Sequence, residues 1–443
     1  MLGKFNQYFW KGANILGNLK LAIVLLLGLA FCSALGTVIE QNQNISFYEN
    51  NYPNSSPVLG FISSQFIFSF GLNNIYQNWW FTTLILLFAT SLFSCTLVRQ
   101  IPSLKMARLW QFYKKDKSLK KMGLNFDLQK RSISKFAFIL KSDNYNVIQK
   151  GGFLYAYKGL PGKIGPIIVH ASLIVILFGA LLGNLSGFVS QELIPLGGIF
   201  HVQNVISSGS MSYIPQDFEG YVQDFKIAYN DEGSIDQFYS DLSILDTNGE
   251  QIKRKTIYVN EPLRYRGMVF YQTDWSIINL SINLDNKTEF QVPLKLINVK
   301  NEGKFWISSL SIDNSEQTGK NNILLVLEDL TGKALVYNNN QQLLGIVNVG
   351  DNFTINGHSV RITEILSSTG LQIKSDPGIP FVYFGFFLLM ISIVISYMSY
   401  SQVWAIKKGK KLSISGRTNR AIYAFEQQMT KIVSTINNTN TAL

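Results

Sequence analysis

Ile164–Phe188, IGPIIVHASLIVILFGALLGNLSGF, is the stretch on which the fold turns. It carries no Asp, Glu, Lys or Arg, and its length, roughly 37 Å at about 1.5 Å per residue, crosses a bilayer with some tilt. It also holds His170, one of only three histidines in the chain. An imidazole in hydrocarbon faces the bundle interior, needs a partner and marks a functional pathway.

The flanks of this span orient it. From Arg99 to Lys163 fifteen Lys/Arg stand against three acids, Asp116, Asp127 and Asp143. The positive-inside rule puts that segment on the cytoplasmic or stromal side. Residues 189–376 carry fourteen Lys/Arg and twenty-two Asp/Glu, which marks them as an acidic external region. The formal charge of +11 therefore averages opposed segments. Its basic residues flank apolar spans, so lipid headgroups rather than nucleic acid are the expected counter-charge.

Three further spans complete the division. The chain reads as an inner N-terminus (1–18, with Trp10 as interfacial anchor), a first span (19–39), an external loop (40–78), a second span (79–97) opened by Trp79-Trp80, and a basic inner loop (98–163). After the His170 span (164–188) come the external region (189–376), a fourth span (377–400) and a basic inner tail (401–443) opened by Lys407, Lys408, Lys410 and Lys411. The first apolar run is too long for a cleavable signal and lacks an A-x-A exit.

Within the inner loop, Ser132–Leu140 reads as a helix. Asn146–Gln149 and Phe153–Tyr157 read as strands around Lys150-Gly151-Gly152. The external region alternates polar and apolar residues in short runs: Tyr221–Tyr229, Gln237–Leu245, Gln251–Val259, Met268–Leu284, Phe290–Leu296, Leu343–Val349 and His358–Ile365. Asn248-Gly249 and Asn356-Gly357 suit tight hairpins with positive φ at both central residues. The expected fold is a membrane α-helical protein of four spans with both termini inside, a large external all-β domain of sandwich or open-barrel type, and a small α+β inner loop.

The chemistry-bearing residues are few. On its own helix His170 is surrounded by Ile167, Pro166, Leu173, Ile174 and Leu177, so its partner comes from another helix, water or a ligand. Ser94, Ser396 and Tyr397 lie at matching depth as hydrogen-bond partners. Neutral imidazole is also a ligand for haem iron or zinc, but no second histidine or carboxylate lies in a span. Lys158 and Lys163, at the N-terminal end of the His170 helix, make an anion-friendly spot that suits lipid headgroups or haem propionates. His201 falls near the outer membrane surface, and His358 reads as a solvated hairpin residue. Val259–Trp275, VNEPLRYRGMVFYQTDW, reads as a turn followed by an aromatic strand and argues for a binding or docking surface rather than catalysis. Cys32 and Cys95 lie inside spans at different depths, too far apart to bridge, and no CxxC exists.

Taken together these pieces resemble the ResB/CcsB family of System II cytochrome c biogenesis, over roughly residues 15–425. The resemblance rests on Gly36-Thr37-Val38-Ile39-Glu40-Gln41, Trp79-Trp80, Cys95-Thr96-Leu97-Val98-Arg99 and Tyr157-Lys158-Gly159 before His170. Val259–Gln272, Asp376-Pro377-Gly378, Ser401-Gln402-Val403-Trp404 and Asn419-Arg420-Ala421 follow in order. It implies an accessory subunit of a holocytochrome c synthase, without catalytic residues of its own. Such a subunit works with a separate CcsA (ResC)-type membrane protein to bring haem across the membrane for attachment to apocytochrome c. It further implies that His170 ligates haem, while reduction of apocytochrome thiols falls to other proteins. The Asn-, Ile- and Lys-rich composition suits a thylakoid membrane, plastid or cyanobacterial, with the large domain lumenal; a bacterial plasma membrane is the alternative. A reading of another class is a membrane-anchored scaffold or chaperone β-domain with no haem ligand, His170 being structural.

Overall fold

The computed structural model describes residues 2–58, 60–231, 234–299, 303–311, 322–338, 340–355 and 358–438. Its helices, in chain order, are α1 (Leu2–Leu16), α2 (Leu19–Val38), α3 (Ile45–Asn51), α4 (Ser64–Phe70), α5 (Trp79–Cys95), α6 (Ile101–Arg108), α7 (Asp116–Leu119), α8 (Ile133–Ser142), α9 (Pro161–Ser186), α10 (Ile379–Ser396) and α11 (Ile422–Asn438). Among the described residues four helices are long and apolar enough to cross a membrane, as expected: Leu19–Val38, Trp79–Arg108, Pro161–Ser186 and Ile379–Ser396. The chain divides into two compact units, Met1–Leu182 with Gly378–Leu443, and Gly183–Pro377.

In the first unit the second spanning helix is longer than its apolar run. After α5, Thr96–Gln100 forms a π-helical turn in which the Ile101 N–H reaches back five residues to the Thr96 carbonyl. Pro102 follows at the start of α6. A proline has no N–H for the turn behind it and its ring crowds that turn, so one widened turn carries the helix past it.

The seam between α9 and α10 is built on small residues. A Cβ at Gly162 would lie 1.9 Å from the Met398 carbonyl oxygen, and one at Gly165 would lie 2.6 Å from Ser396 N and Cα. Gly385 lies as close against Ser172 and Ile176. Lipid tails are as apolar as leucine, so spanning helices gain by close backbone approach rather than by apolar burial, and glycine permits it.

At the other end of α5 a small cap forms around fully buried Tyr48, with Ile39, Ile67, Ile75 and Phe81. Residues of the Gly36–Gln41 motif hold it together. The Gln41 side chain donates to the Leu72 carbonyl at 3.0 Å and accepts from Ile75 N–H at 2.9 Å. Tyr52 donates to Glu40 at 2.6 Å. That hydrogen bond holds Glu40 below the usual carboxylate range, and burial followed by Glu40 pushes Tyr52 up to about 12.

Residues 98–163, expected as a small α+β loop, and 401–438 of the expected basic tail form one structure. A five-stranded antiparallel sheet runs in the order Leu124–Gln129, Lys411–Thr418, Ser401–Lys408, Phe153–Lys158, Asn146–Lys150. The tail thus supplies two of its three inner strands, and its polar end continues as α11. Phe136 and Leu140 of α8 and Phe425, Met429 and Ile436 of α11 pack on one face against Val403, Ala405 and Ile414. Tyr155, Trp404, Ile406 and Leu119 fill the other face. The lysine run is the hairpin of this sheet, with Gly409 at φ +57°.

The second unit is β-rich, as expected, and among the described residues every strand pair is antiparallel. Its spine is the pair Met268–Leu284 and His358–Ser375. One end of this pair packs through Leu280, Ile282, Val360 and Ile362 on a five-stranded sheet carrying Trp306 and Leu325. The other packs through Met268, Phe270, Leu371 and Ile373 on a four-stranded sheet carrying Val222 and Leu242. Two layered cores therefore share one central sheet, and bulges at Gln272/Asp274 and Ile277/Asn279 bend it between them.

Several local expectations change. Phe290–Leu296 is two strands, Thr288–Pro293 and Lys295–Val299, in different sheets, because Pro293 ends the first ladder. Of Asn248-Gly249 only Gly249 has positive φ, +81°; Asp246 Oδ1 accepts from Asn248 and Glu250 N–H and organises a longer turn. Positive φ at both central positions occurs at Arg266-Gly267, joining Leu263–Tyr265 to Met268. Asn356 and Gly357 lie outside the described residues. Within Val259–Trp275, Met268, Phe270 and Gln272 are buried, Trp275 stacks on Trp306 with ring centroids 4.9 Å apart, and Gln272 bonds Ser240 and Thr369. This strand half is core and bend.

Candidate functional site in the membrane helices

His170 lies nine residues into α9 and points at α5. Its Nδ1 is 3.1 Å from Thr96 Oγ1 and 3.3 Å from the Leu92 carbonyl, and its Nε2 is 3.0 Å from Gln100 Nε2. With the Gln100 amide oriented as placed, its N–H donates to Nε2, which assigns the ring proton to Nδ1, facing Thr96 Oγ1 and the Leu92 carbonyl. Thr96 Oγ1 itself donates to that carbonyl at 2.9 Å. In that tautomer the Nε2 lone pair faces an amide N–H. Gln100 Oε1 is buried and has no hydrogen-bond partner.

The sequence places the partners of His170 at Ser94, Ser396 and Tyr397, and the structure corrects all three. Ser396 faces Gly165 in the α9–α10 seam. Tyr397 is exposed and carries the Arg420 guanidinium over its ring at 5.9 Å. Ser94 is buried, but the π turn directs Thr96 and Gln100, not Ser94, at the imidazole. Counting depth from the end of the apolar run excluded Gln100, because Arg99 read as the membrane boundary. The signal available in the sequence was Leu92, Thr96 and Gln100 at successive four-residue steps ahead of Pro102.

Lys158 and Lys163 separate. Lys158 ends its strand, donates to the Asp143 carbonyl at 2.9 Å and lies over the Tyr145 ring. Lys163, in the first turn of α9, lies over the Tyr400 ring at 5.5 Å and lines a cavity with Arg417. His201 is exposed in the second unit. His358, expected to be solvated, is half-buried and pairs with Asp285 at 2.8 Å. Cys32 and Cys95 are both free thiols. Among the described residues no group of three or more His, Cys, Asp or Glu could hold a metal ion.

The pattern of the ResB-like family matches residues 19–315 and 330–430. A cytochrome c biogenesis protein Ccs1 of Rhodomonas salina is 75% identical over 439 residues, covering 99% of this chain and all of that protein. The Ccs1 protein of Pyropia yezoensis is 44% identical over 96% of this chain and 95% of its own length. A cytochrome c biogenesis protein CcsB of Crocosphaera subtropica is 43% identical over 97% of this chain and 95% of its own length. With matches of this extent running through the spanning helices, the sheet and the β-rich unit alike, the chain belongs to the ResB-like family.

Proposed function

We propose that this protein serves cytochrome c biogenesis in a thylakoid membrane by carrying haem on His170 to a CcsA-type partner, which completes the iron site. Curated relatives aligned over nearly the whole chain are named for cytochrome c biogenesis, and they come from plastid-bearing algae and cyanobacteria. One observation supports the haem reading: Nδ1 of His170 lies within hydrogen-bond distance of Thr96 Oγ1 and the Leu92 carbonyl, while its Nε2 faces the amide of Gln100. Orientation of one ring nitrogen by a hydrogen bond is what prepares the other to ligate a metal. Haem iron would be held here by His170 Nε2 once Gln100 released it, with any further ligand supplied by the partner. The β-rich unit, net acidic, then lies on the lumenal face, where haem meets apocytochrome c.

Co-purified with its CcsA-type partner, the wild-type complex shows a haem absorption band, and His170→Gly weakens or abolishes it. An unchanged band together with undiminished cytochrome c maturation refutes the ligand role and leaves a scaffold function for the β-rich unit.

A further inference from the structure

Beyond the histidine, the first unit contains a cationic cavity of about 210 Å³ where α6, the start of α9 and the Ser401–Thr418 hairpin meet. Ser103, Met106, Gln111, Lys163, Gln402 and Arg417 are among the residues that line it. Two cations thus face one space. Among the described residues neither Lys163 nor Arg417 pairs with a carboxylate. The Lys163 ammonium is held over the Tyr400 ring. Tyr400 donates to the Ala107 carbonyl at 2.7 Å, and burial keeps its pKa well above the tyrosine range, so it brings no negative charge. Like charges gathered without a counter-ion call for an anion.

The setting selects the kind of anion. The cavity lies where three apolar helices end: the Trp79–Arg108 helix at α6, α9 at its first turn, and α10 just before Tyr400. Beside it Met106, Leu109, Trp110, Tyr397 and Met398 are exposed, the mixture of apolar and aromatic side chains found at the headgroup level of a bilayer. Its volume has room for one tetrahedral oxyanion and its ester carbons. We propose that Lys163 and Arg417 bind the phosphate or sulfonate headgroup of an anionic membrane lipid in this cavity, its acyl chains running down past Met106 and Met398. The lipid pins α6, α9 and the sheet together at the membrane surface. Lys163 is also two helical turns from His170 on the same face of α9, so the site adjoins the proposed haem ligand without depending on it.

The test uses the full chain in a zwitterionic detergent, titrated with short-chain phosphatidylglycerol, phosphatidylcholine or inorganic phosphate while thermal unfolding is followed. Phosphatidylglycerol should raise the melting temperature saturably, and phosphatidylcholine should not. Lys163→Gln and Arg417→Gln should each weaken the phosphatidylglycerol response about tenfold, whereas Arg417→Lys and the exposed-site control Lys150→Gln keep it. An equal response to phosphatidylcholine overturns the proposal, as does an unchanged response in both charge-removing variants. Inorganic phosphate reproducing the full shift at the same concentration also overturns it, in favour of a free anion. Loss of haem absorption in Arg417→Gln with the lipid response intact assigns the cations to the haem carboxylates and likewise overturns it.

Discussion

Replacing Trp404 by alanine tests the most consequential feature of the fold, the completion of the sheet by the C-terminal strands. Trp404 is 2% exposed, lies with ring centroids 5.4 Å from Tyr113 and 5.9 Å from Tyr155, and donates its indole N–H to the Gln111 carbonyl at 2.9 Å. A buried tryptophan removes about 200 Å² from water, which at about 25 cal/mol per Å² is roughly 5 kcal/mol. An extended reference chain overstates that area, so the burial itself contributes about 3–4 kcal/mol. Loss of the indole donor adds about 1 kcal/mol by leaving the Gln111 carbonyl without it. The sum, about 4–5 kcal/mol, agrees with tryptophan truncations in other cores. In a compact unit of about 250 residues that lowers the melting temperature by roughly 8–20 °C. The assay is limited trypsin digestion of the detergent-solubilised full chain across a temperature series, reading cleavage at the Lys407–Lys411 hairpin. Trp110→Ala, at a side chain 62% exposed, serves as the control and should stay within about 0.5 kcal/mol of wild type. Cleavage of both variants at the same temperature would refute the placement of the tail in the centre of the sheet.

Two further outcomes follow from the geometry. Gly165→Leu puts a Cβ 2.6 Å from Ser396 N and Cα, forcing α9 and α10 apart by roughly 1 Å and costing about 1–3 kcal/mol; the melting temperature of the full chain in detergent should fall, while Gly12→Ala, with nothing within 4 Å of the new methyl, should leave it unchanged. In a chain with Cys32 and Cys95 replaced by alanine, a membrane-impermeant maleimide applied from the lumenal or outer face should label Asn248→Cys and spare Lys141→Cys, and the opposite pattern would reverse the proposed orientation.

The residues that announce the membrane helices do so because apolar length is a local property. Leu19–Val38 and Ile379–Ser396 are apolar on all sides, and no tertiary contact is needed to recognise a segment that cannot be solvated. The strands of the β-rich unit were legible for a similar reason. Met268–Leu284 alternates where it packs on one core, and its ends coincide with the observed strand. Period two survives in sequence even when the sheet that a strand joins is unknown. Phe290–Val299 was harder to read because apolar residues continue on both sides of Pro293, and the ladder, not the hydropathy, changes there.

What sequence alone determined here is which segments are apolar enough to cross a membrane, where positive charge gathers, and that a lone imidazole lies among aliphatic residues. Those features are sums over neighbouring residues. The tertiary structure decided everything that joins distant ones. Ser401–Thr418 reads as a charged tail until Phe153–Lys158 and Leu124–Gln129 lie beside it, because a strand's backbone hydrogen bonds are made to other segments. Lys163 and Arg417 face one cavity only because that same pairing returns the chain to the start of α9. His170 meets Thr96 and Gln100 because Pro102 cannot donate a backbone hydrogen bond, and the widened turn before it sets the direction of two side chains on a different helix.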